Sequence, residues 1–184
     1  MLFHPHTVQT RTTTQLGLVH LAASPTGLAG VWFEGQRHEP GPWLYGASAW
    51  PDAPDHPVLQ NAALQLQQYF AGERAHFELP LDLSGGTPFQ QSVWHALLTI
   101  GRGATTSYGA LSQQLGNPRA VRALGAAVGR NPLSVVVPCH RVVGMDGSLT
   151  GYAGGLDRKR ALLVLENAQL AATSGTPHKN KGFA

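Results

Sequence analysis

Thr87-Pro-Phe-Gln90 divides this chain more sharply than any other stretch. Threonine offers an N-cap oxygen, proline takes the first helical position where a missing N–H costs nothing, and glutamine completes a capping box. A helix must start there, and the preceding Asp82-Leu-Ser-Gly-Gly86 reads as a linker. Upstream, apolar residues alternate loosely in three runs, Val8 to Leu16, Gly17 to Ala23 and Gly27 to Phe33, with Ser24-Pro-Thr-Gly27 as a turn. That pattern predicts a small antiparallel sheet. An irregular connection rich in Gly, Pro, His and Trp spans 35–57, then Leu59, Ala62, Ala63, Leu66 and Phe70 recur at helical spacing between Pro57 and Ala71. Such a helix can cover the sheet, and a short strand is expected from His76 to Leu81. The expected fold is α+β in two domains: residues 1–86 an antiparallel sheet with its covering helix, residues 87–170 mainly helical, and 171–184 a polar, disordered tail.

Downstream, the capped helix should run to about Ile100, burying Phe89, Val93, Trp94, Leu97 and Leu98, until Gly101-Arg-Gly103 ends it. A short helix from Ser107 to Leu115 follows. Gly116-Asn-Pro118 then predicts a third helix, with Asn117 as N-cap and Pro118 at N1, ending near Val128 at Gly129. Two short helices across a tight turn make a helix-turn-helix. The third helix carries Ala120, Ala123, Gly125, Ala126 and Ala127, with Arg119 and Arg122 one turn apart. Small residues permit close approach to another surface, and they equally serve internal helix packing. After a glycine-rich loop, Gly151-Tyr-Ala-Gly-Gly155, a last helix is expected from Leu156 to Leu170, with Arg158-Lys-Arg160 in solvent. Glu166 lies beside its apolar stripe, either exposed or orienting a buried histidine.

Charge separates the halves as well. Residues 1–82 hold seven acids and three Lys/Arg, whereas 83–184 hold three acids and ten Lys/Arg. No acid lies between Asp82 and Asp146, yet that interval contains Arg102, Arg119, Arg122, Arg130 and Arg141. One sign of charge over so long a stretch suits a polyanion, nucleic acid first, unless the stretch is simply charge-poor core. No run of apolar residues is long enough to span a membrane, and Met-Leu-Phe-His-Pro-His lacks the regions of a signal peptide. A single cysteine excludes an internal disulfide and suits a reducing, cytoplasmic setting. His4 and His6 alone, without cysteine or clustered acids, make no metal site.

That cysteine, Cys139, lies in Ser134-Val-Val-Val-Pro-Cys-His-Arg-Val-Val143. Three valines read as a buried strand that Pro138 interrupts. On a regular strand Cys139 and His140 would face opposite ways, so a functional pair needs a bend at Pro138 and a water or third group between imidazole and sulfur. A lone cysteine can equally be an inert core residue.

Taken together, Pro138-Cys-His-Arg-Val-Val143, Ser107-Tyr108, Asn117-Pro118, the Arg122 helix, Gly129-Arg-Asn-Pro132, Gly151-Tyr-Ala-Gly-Gly155 and Leu162-Leu-Val-Leu-Glu166 resemble the O6-alkylguanine-DNA alkyltransferases, the methylated-DNA–protein-cysteine methyltransferases. The resemblance covers roughly residues 87–167. It implies single-turnover, irreversible transfer of an alkyl group from O6 of guanine in double-stranded DNA to Cys139, without a cofactor, and leaves O4-alkylthymine open as a second substrate. It implies a Glu166–His140–water–Cys139 relay, with Tyr108 acting on the target phosphate and on guanine N3. Arg122 would fill the vacated stack as the base flips out, and Ala120, Ala123, Gly125 and Ala126 would face the minor groove. Backbone of Cys139, Val142 and Ala153 would read the base, with Tyr152 and Gly154 shaping its pocket and Asn131 bracing the turn. Ala153 stands where some relatives have serine, and no N-terminal cysteines are present to hold the zinc of others. The acting species is expected to be a monomer, with self-association on DNA left open. Alkyltransferase-like damage sensors lack the cysteine, and the signatures of papain- and caspase-type hydrolases are absent.

Overall fold

A computed structural model describes residues 1–168. Three strands, β1 (Val8–Thr14), β2 (Gly17–Ser24) and β3 (Gly27–Phe33), form an antiparallel sheet in the order β1-β2-β3. Val8 pairs with Ala23 and Ser24 with Gly27, and a bulge interrupts β2 between Ala22 and Ala23. One face, with Leu21, Ala23, Val31 and Phe33, joins the main core. The other presents Ala22 and Trp32 to Leu44 and Trp50, so the irregular connection after β3 forms a second, smaller core. That connection holds a four-residue helix, α1 (Gly41–Leu44), and is tied down where Gln9 Nε2 donates to the carbonyl of Trp50 at 3.0 Å. β3 is therefore buried on both faces, as its unbroken apolar sequence requires.

The helix α2 (Pro57–Phe70) buries Leu59, Ala62, Leu66, Tyr69 and Phe70 against the sheet. Fully burying each large apolar side chain contributes about 1.5–3 kcal/mol. Residues 76–81 do not form the expected strand; Leu81 alone bridges Leu28. The Gln65 side chain takes the place of a partner strand, accepting from Glu78 N at 2.8 Å and donating to Glu78 O at 2.9 Å, and Pro80 has no N–H to offer.

The capping box is formed as expected: Thr87 Oγ1 accepts from Gln90 N, and Thr87 N donates to Gln90 Oε1. It opens α3 (Pro88–Leu98), which buries Val93, Trp94, Ala96 and Leu97. Contrary to expectation, Phe89, in the first turn, is only partly buried against the core, and Leu98, at the edge of that stripe, is exposed. Beyond it come β4 (Thr106–Ser107), α4 (Tyr108–Gln114) capped by Ser107, and α5 (Val121–Gly129). The third helix starts later than the sequence predicts. Asn117 does not cap it; its carbonyl accepts from Ser112 Oγ and Ala120 N, which closes a turn before the helix can begin. Trp94 Nε1 donates to the carbonyl of Ala127 at 2.9 Å and pins α5 to α3.

A 3-10 turn at Cys139–Arg141 leads into β5 (Val142–Val143), parallel to β4, and then α6 (Leu156–Leu165). Here α6 is shorter than expected: Glu166 is its C-cap, Asn167 follows at positive φ, and residues 169 onward, with the expected tail, lie outside the described residues. Both halves of the chain pack around one shared core. No helix among the described residues is long and apolar enough to cross a membrane.

Candidate active site

The valine run is not a strand. Val31 bridges Leu133 only, and Val135 adopts a φ of 73°, a conformation costly for a β-branched residue. Pro132 and Pro138 flank the segment and cannot donate, and the Asn131 side chain supplies what a neighbouring strand would have. Its Oδ1 accepts from Leu133 N at 3.0 Å, and its Nδ2 donates to Val137 O at 2.8 Å and lies 3.1 Å from Cys139 Sγ. Burial of Val135, Val136 and Val137 in the core holds the strained turn in place.

With the backbone tightened into a 3-10 turn, the side chains of Cys139 and His140 make no hydrogen bond to each other, in line with the expected bend at Pro138. Both side chains are buried. His140 Nε2 lies 3.0 Å from Glu166 Oε1, and Nδ1 is buried with no partner in the protein. Burial lowers the imidazole pKa despite the carboxylate, so the ring is a neutral donor to Glu166 rather than half of an ion pair. Burial alone would raise the Glu166 carboxyl, but hydrogen bonds from His140, Arg141 and Tyr69 outweigh it and hold the group well below the usual carboxylate range.

Arg141 supplies the counter-charge, with Nε 2.9 Å from Oε2 and Nη2 2.8 Å from Oε1, and it also binds the carbonyl of Ile100. It is buried, so it does not belong to the cationic face the sequence suggested. Nor does Arg102, whose guanidinium donates to the carbonyls of Arg74 and Leu165. Lys159 departs furthest from expectation. It is fully buried, donating to the carbonyls of Val142 and Thr150 at 2.6 Å each. Burial lowers its pKa to about 8, and the nearby Cys139 thiol pulls the other way. In turn, burial raises the Cys139 thiol, while Asn131 and Lys159 oppose that rise.

Between α5 and the glycine-rich loop, Tyr108, Gly125, Ala126, Gly129, Tyr152 and Ala153 contribute to a cavity of about 220 Å³ that Arg37, His38 and Arg130 also border. Tyr108 donates to the carbonyl of Gly151 at 3.3 Å, and the Tyr152 hydroxyl is buried without a partner. Gly154 is needed for close packing, because a Cβ there would sit 2.7 Å from the Tyr152 ring. Ala153 accepts from Arg37 N through its carbonyl, and Val142 lies on β5 with its carbonyl on Lys159. Across the opening, α5 turns Leu124, Ala127 and Val128 inward and leaves Arg122, Ala123 and Ala126 exposed, with Ala120 at its N-cap. Among the described residues Arg119, Arg122 and Arg130 meet no carboxylate. No group of described side chains gathers that could hold a metal ion.

Sequence reasoning missed Tyr69, Lys159 and the roles of Arg141 and Arg102. Two signals were available. Lys159 shares a helical stripe with Leu162, Leu163 and Glu166, and Tyr69 continues the stripe of Leu59, Ala62 and Leu66.

Two family models match the chain: the 6-O-methylguanine DNA methyltransferase DNA-binding domain over residues 88–168 and the ribonuclease-like domain of the same family over residues 8–83. A methylated-DNA–protein-cysteine methyltransferase of Mycobacterium tuberculosis is 55% identical over 119 residues, covering 65% of this chain and 72% of the relative. One from Mycolicibacterium paratuberculosis is 45% identical over 158 residues, covering 86% and 91%. A crystal structure of the M. tuberculosis OGT in complex with DNA superposes with a TM-score of 0.78 at 44% identity, covering 88% of this chain and 94% of that one.

Proposed function

We propose, for a chain that belongs to the methylated-DNA–protein-cysteine methyltransferase family, DNA repair by direct transfer of the alkyl group from O6-alkylguanine to Cys139, once per protein molecule. The observation that carries the assignment to this thiol is a line of buried groups. Glu166, held ionised by Arg141, accepts the Nε2 proton of His140, which leaves the bare Nδ1 as a base one residue from Cys139.

Water between Nδ1 and Sγ carries the thiol proton to the imidazole. The thiolate then attacks the alkyl carbon, an S–C bond forms, and the C–O6 bond breaks with its electron pair going to guanine. Tyr108 hydrogen-bonds guanine N3 and stabilises the departing anion. A thiol whose pKa is raised by burial needs such a base at neutral pH. The thioether has no second step, so the protein is consumed.

Guanine inside a duplex is out of reach of a buried thiol, so the base is flipped out at a cost of a few kcal/mol. The exposed side chain of Arg122 fills the stack, and Ala120, Ala123, Gly125 and Ala126 bring α5 close to the minor groove. The base enters the cavity beside Tyr152, Ala153 and Gly154, read by backbone of Cys139, Val142 and Ala153, while Asn131 braces the turn beneath. O4-alkylthymine is a second candidate for that cavity. We place the division of labour near residue 86, with a monomer as the acting species.

Intact-protein mass spectrometry after incubation with excess O6-methylguanine duplex tests the assignment. The wild type should gain the mass of one CH2, once per chain, and Cys139→Ala should gain nothing while still binding DNA. No adduct on the wild type, with tight binding kept, would make the protein a damage sensor and Cys139 a packing residue.

A further inference from the structure

Glu166 Oε1 accepts from three side chains, and one of them comes from the other half of the chain. The Tyr69 hydroxyl of α2 donates to it at 2.6 Å across 97 residues of sequence, inside the core. Its ring is fully buried, and the Arg102 guanidinium lies 5.5 Å from the ring centroid. Arg102 also holds the carbonyl of Leu165, the residue before Glu166, and that of Arg74, just beyond α2. One buried unit thus joins α2, the loop after α3 and the end of α6.

We propose that Tyr69 is a positioning residue for alkyl transfer: its hydroxyl fixes the Glu166 carboxylate and weakens that carboxylate's pull on His140, so the N-terminal half sets the basicity of the relay. The proposal rests on the relay described above. An ionised carboxylate can only accept, so Tyr69 donates to it, and burial, followed by the Glu166 charge, raises the phenol pKa and keeps it a donor at every working pH. The groups facing the His140–Glu166 pair are Arg141 from the same turn, Lys159 from α6, Tyr69 from α2, Arg102 behind Tyr69, the Gly103 N–H at 3.3 Å from Oε2, and the Cys139 thiol. Of these, only Tyr69 is a neutral side chain whose donor can be deleted at constant shape and charge.

Without the hydroxyl, Glu166 Oε1 leans harder on the Nε2 proton and Nδ1 becomes more basic. His140 is then protonated at a higher pH, and an imidazolium cannot take the thiol proton. Transfer should fail earlier on acidification.

The test is the single-turnover transfer rate from an O6-methylguanine duplex across pH, with 15N chemical shifts of His140, for wild type, Tyr69→Phe and Glu166→Gln. In Tyr69→Phe the acid limb should move up by about half a unit to one unit, as the loss of one hydrogen bond to a charged group implies. At neutral pH, where the imidazole stays largely neutral, the rate should change by less than about threefold, so the acid limb carries the effect. Replacing Tyr69 by difluorotyrosine, a stronger donor of nearly the same shape, should move the limb down, and it serves if the phenylalanine variant does not fold. An unmoved limb and unmoved His140 shifts in both variants, even with lowered thermal stability, would reduce Tyr69 to packing. Wild-type rates in Glu166→Gln would overturn the relay itself.

Discussion

Beneath Cys139 and along the outer face of α5 the same segment of chain builds two opposite kinds of surface. Under the cysteine every charged group is buried and tied. Glu166 accepts from Tyr69, His140, Arg141 and Gly103, and Lys159 sits on two carbonyls. On α5, Arg122, Ala123 and Ala126 stand exposed with no side-chain hydrogen bond among the described residues. A proton relay loses its effect when its members wander, so order there serves the rate. A surface that must meet a second molecule gains from being bare and small, since each extra atom adds to the distance of approach. Position and reach are thus built separately, and each can be damaged without the other.

Breaking the buried side should cost most. Glu166→Gln removes the acceptor charge for His140 and should slow transfer by about a hundredfold or more, the scale of general-base catalysis, while DNA affinity stays within about twofold. It also leaves Arg141 buried without its counter-charge, which should cost about 3–5 kcal/mol in a denaturant melt. Affinity falling in step with rate would show that the relay and the DNA face are one unit. The sign with pH follows from the depressed carboxyl of Glu166. Its contribution to wild-type stability is complete above its unfolded pKa of about 4.3 and is lost as the pH falls below that value. Acid titration followed by near-ultraviolet circular dichroism should show this loss in the wild type and a shallower one in Glu166→Gln.

On the open side the effects should be smaller and selective. Arg122→Ala should slow repair of duplex roughly ten- to hundredfold, because unstacking the target costs a few kcal/mol that the guanidinium no longer offsets. Its rate on the free modified base should match the wild type. Equal losses on both substrates would tie Arg122 to the chemistry and erase the contrast between the two surfaces.

How legible each region was in the sequence follows the same division. Elements marked by local signals, such as the Thr87 cap and the strands around the Ser24 turn, lie where expected, because neighbours in sequence decide them. Elements satisfied by a distant side chain do not. Gln65 and Asn131 each stand in for a strand, and no local pattern encodes that. Cys139, His140 and Glu166 could be named from their motifs, and the structure brings His140 and Glu166 together beside the thiol. Lys159 was read as solvated and Arg102 as part of a cationic face, because charge is normally exposed; Lys159 is buried and Arg102 half-buried, each donating to two main-chain carbonyls that three-dimensional packing alone supplies. The sequence also left open whether the small residues of α5 pack or approach another surface, and the exposure of Ala123 and Ala126 favours approach.

Gly125 puts that last question in its sharpest form, with the smallest expected effect. A glycine inside a helix costs about 1 kcal/mol relative to alanine, so it persists there only for a reason. If the reason were packing, an added methyl would collide, yet a Cβ at Gly125 would lie 4.0 Å from the Tyr108 ring, an ordinary contact. Gly125 also lines the cavity that Tyr108, Tyr152 and Ala153 border, the proposed seat of the flipped base, and a methyl there would narrow it. Gly125→Ala should therefore raise stability by about 0.5–1 kcal/mol, a gain of roughly 2–4 °C in Tm for a chain of this size, and slow duplex repair a few-fold. A fall in Tm with unchanged repair would return the small residues of α5 to helix packing. A gain in Tm with slower repair would mean the helix gives up stability to stay bare.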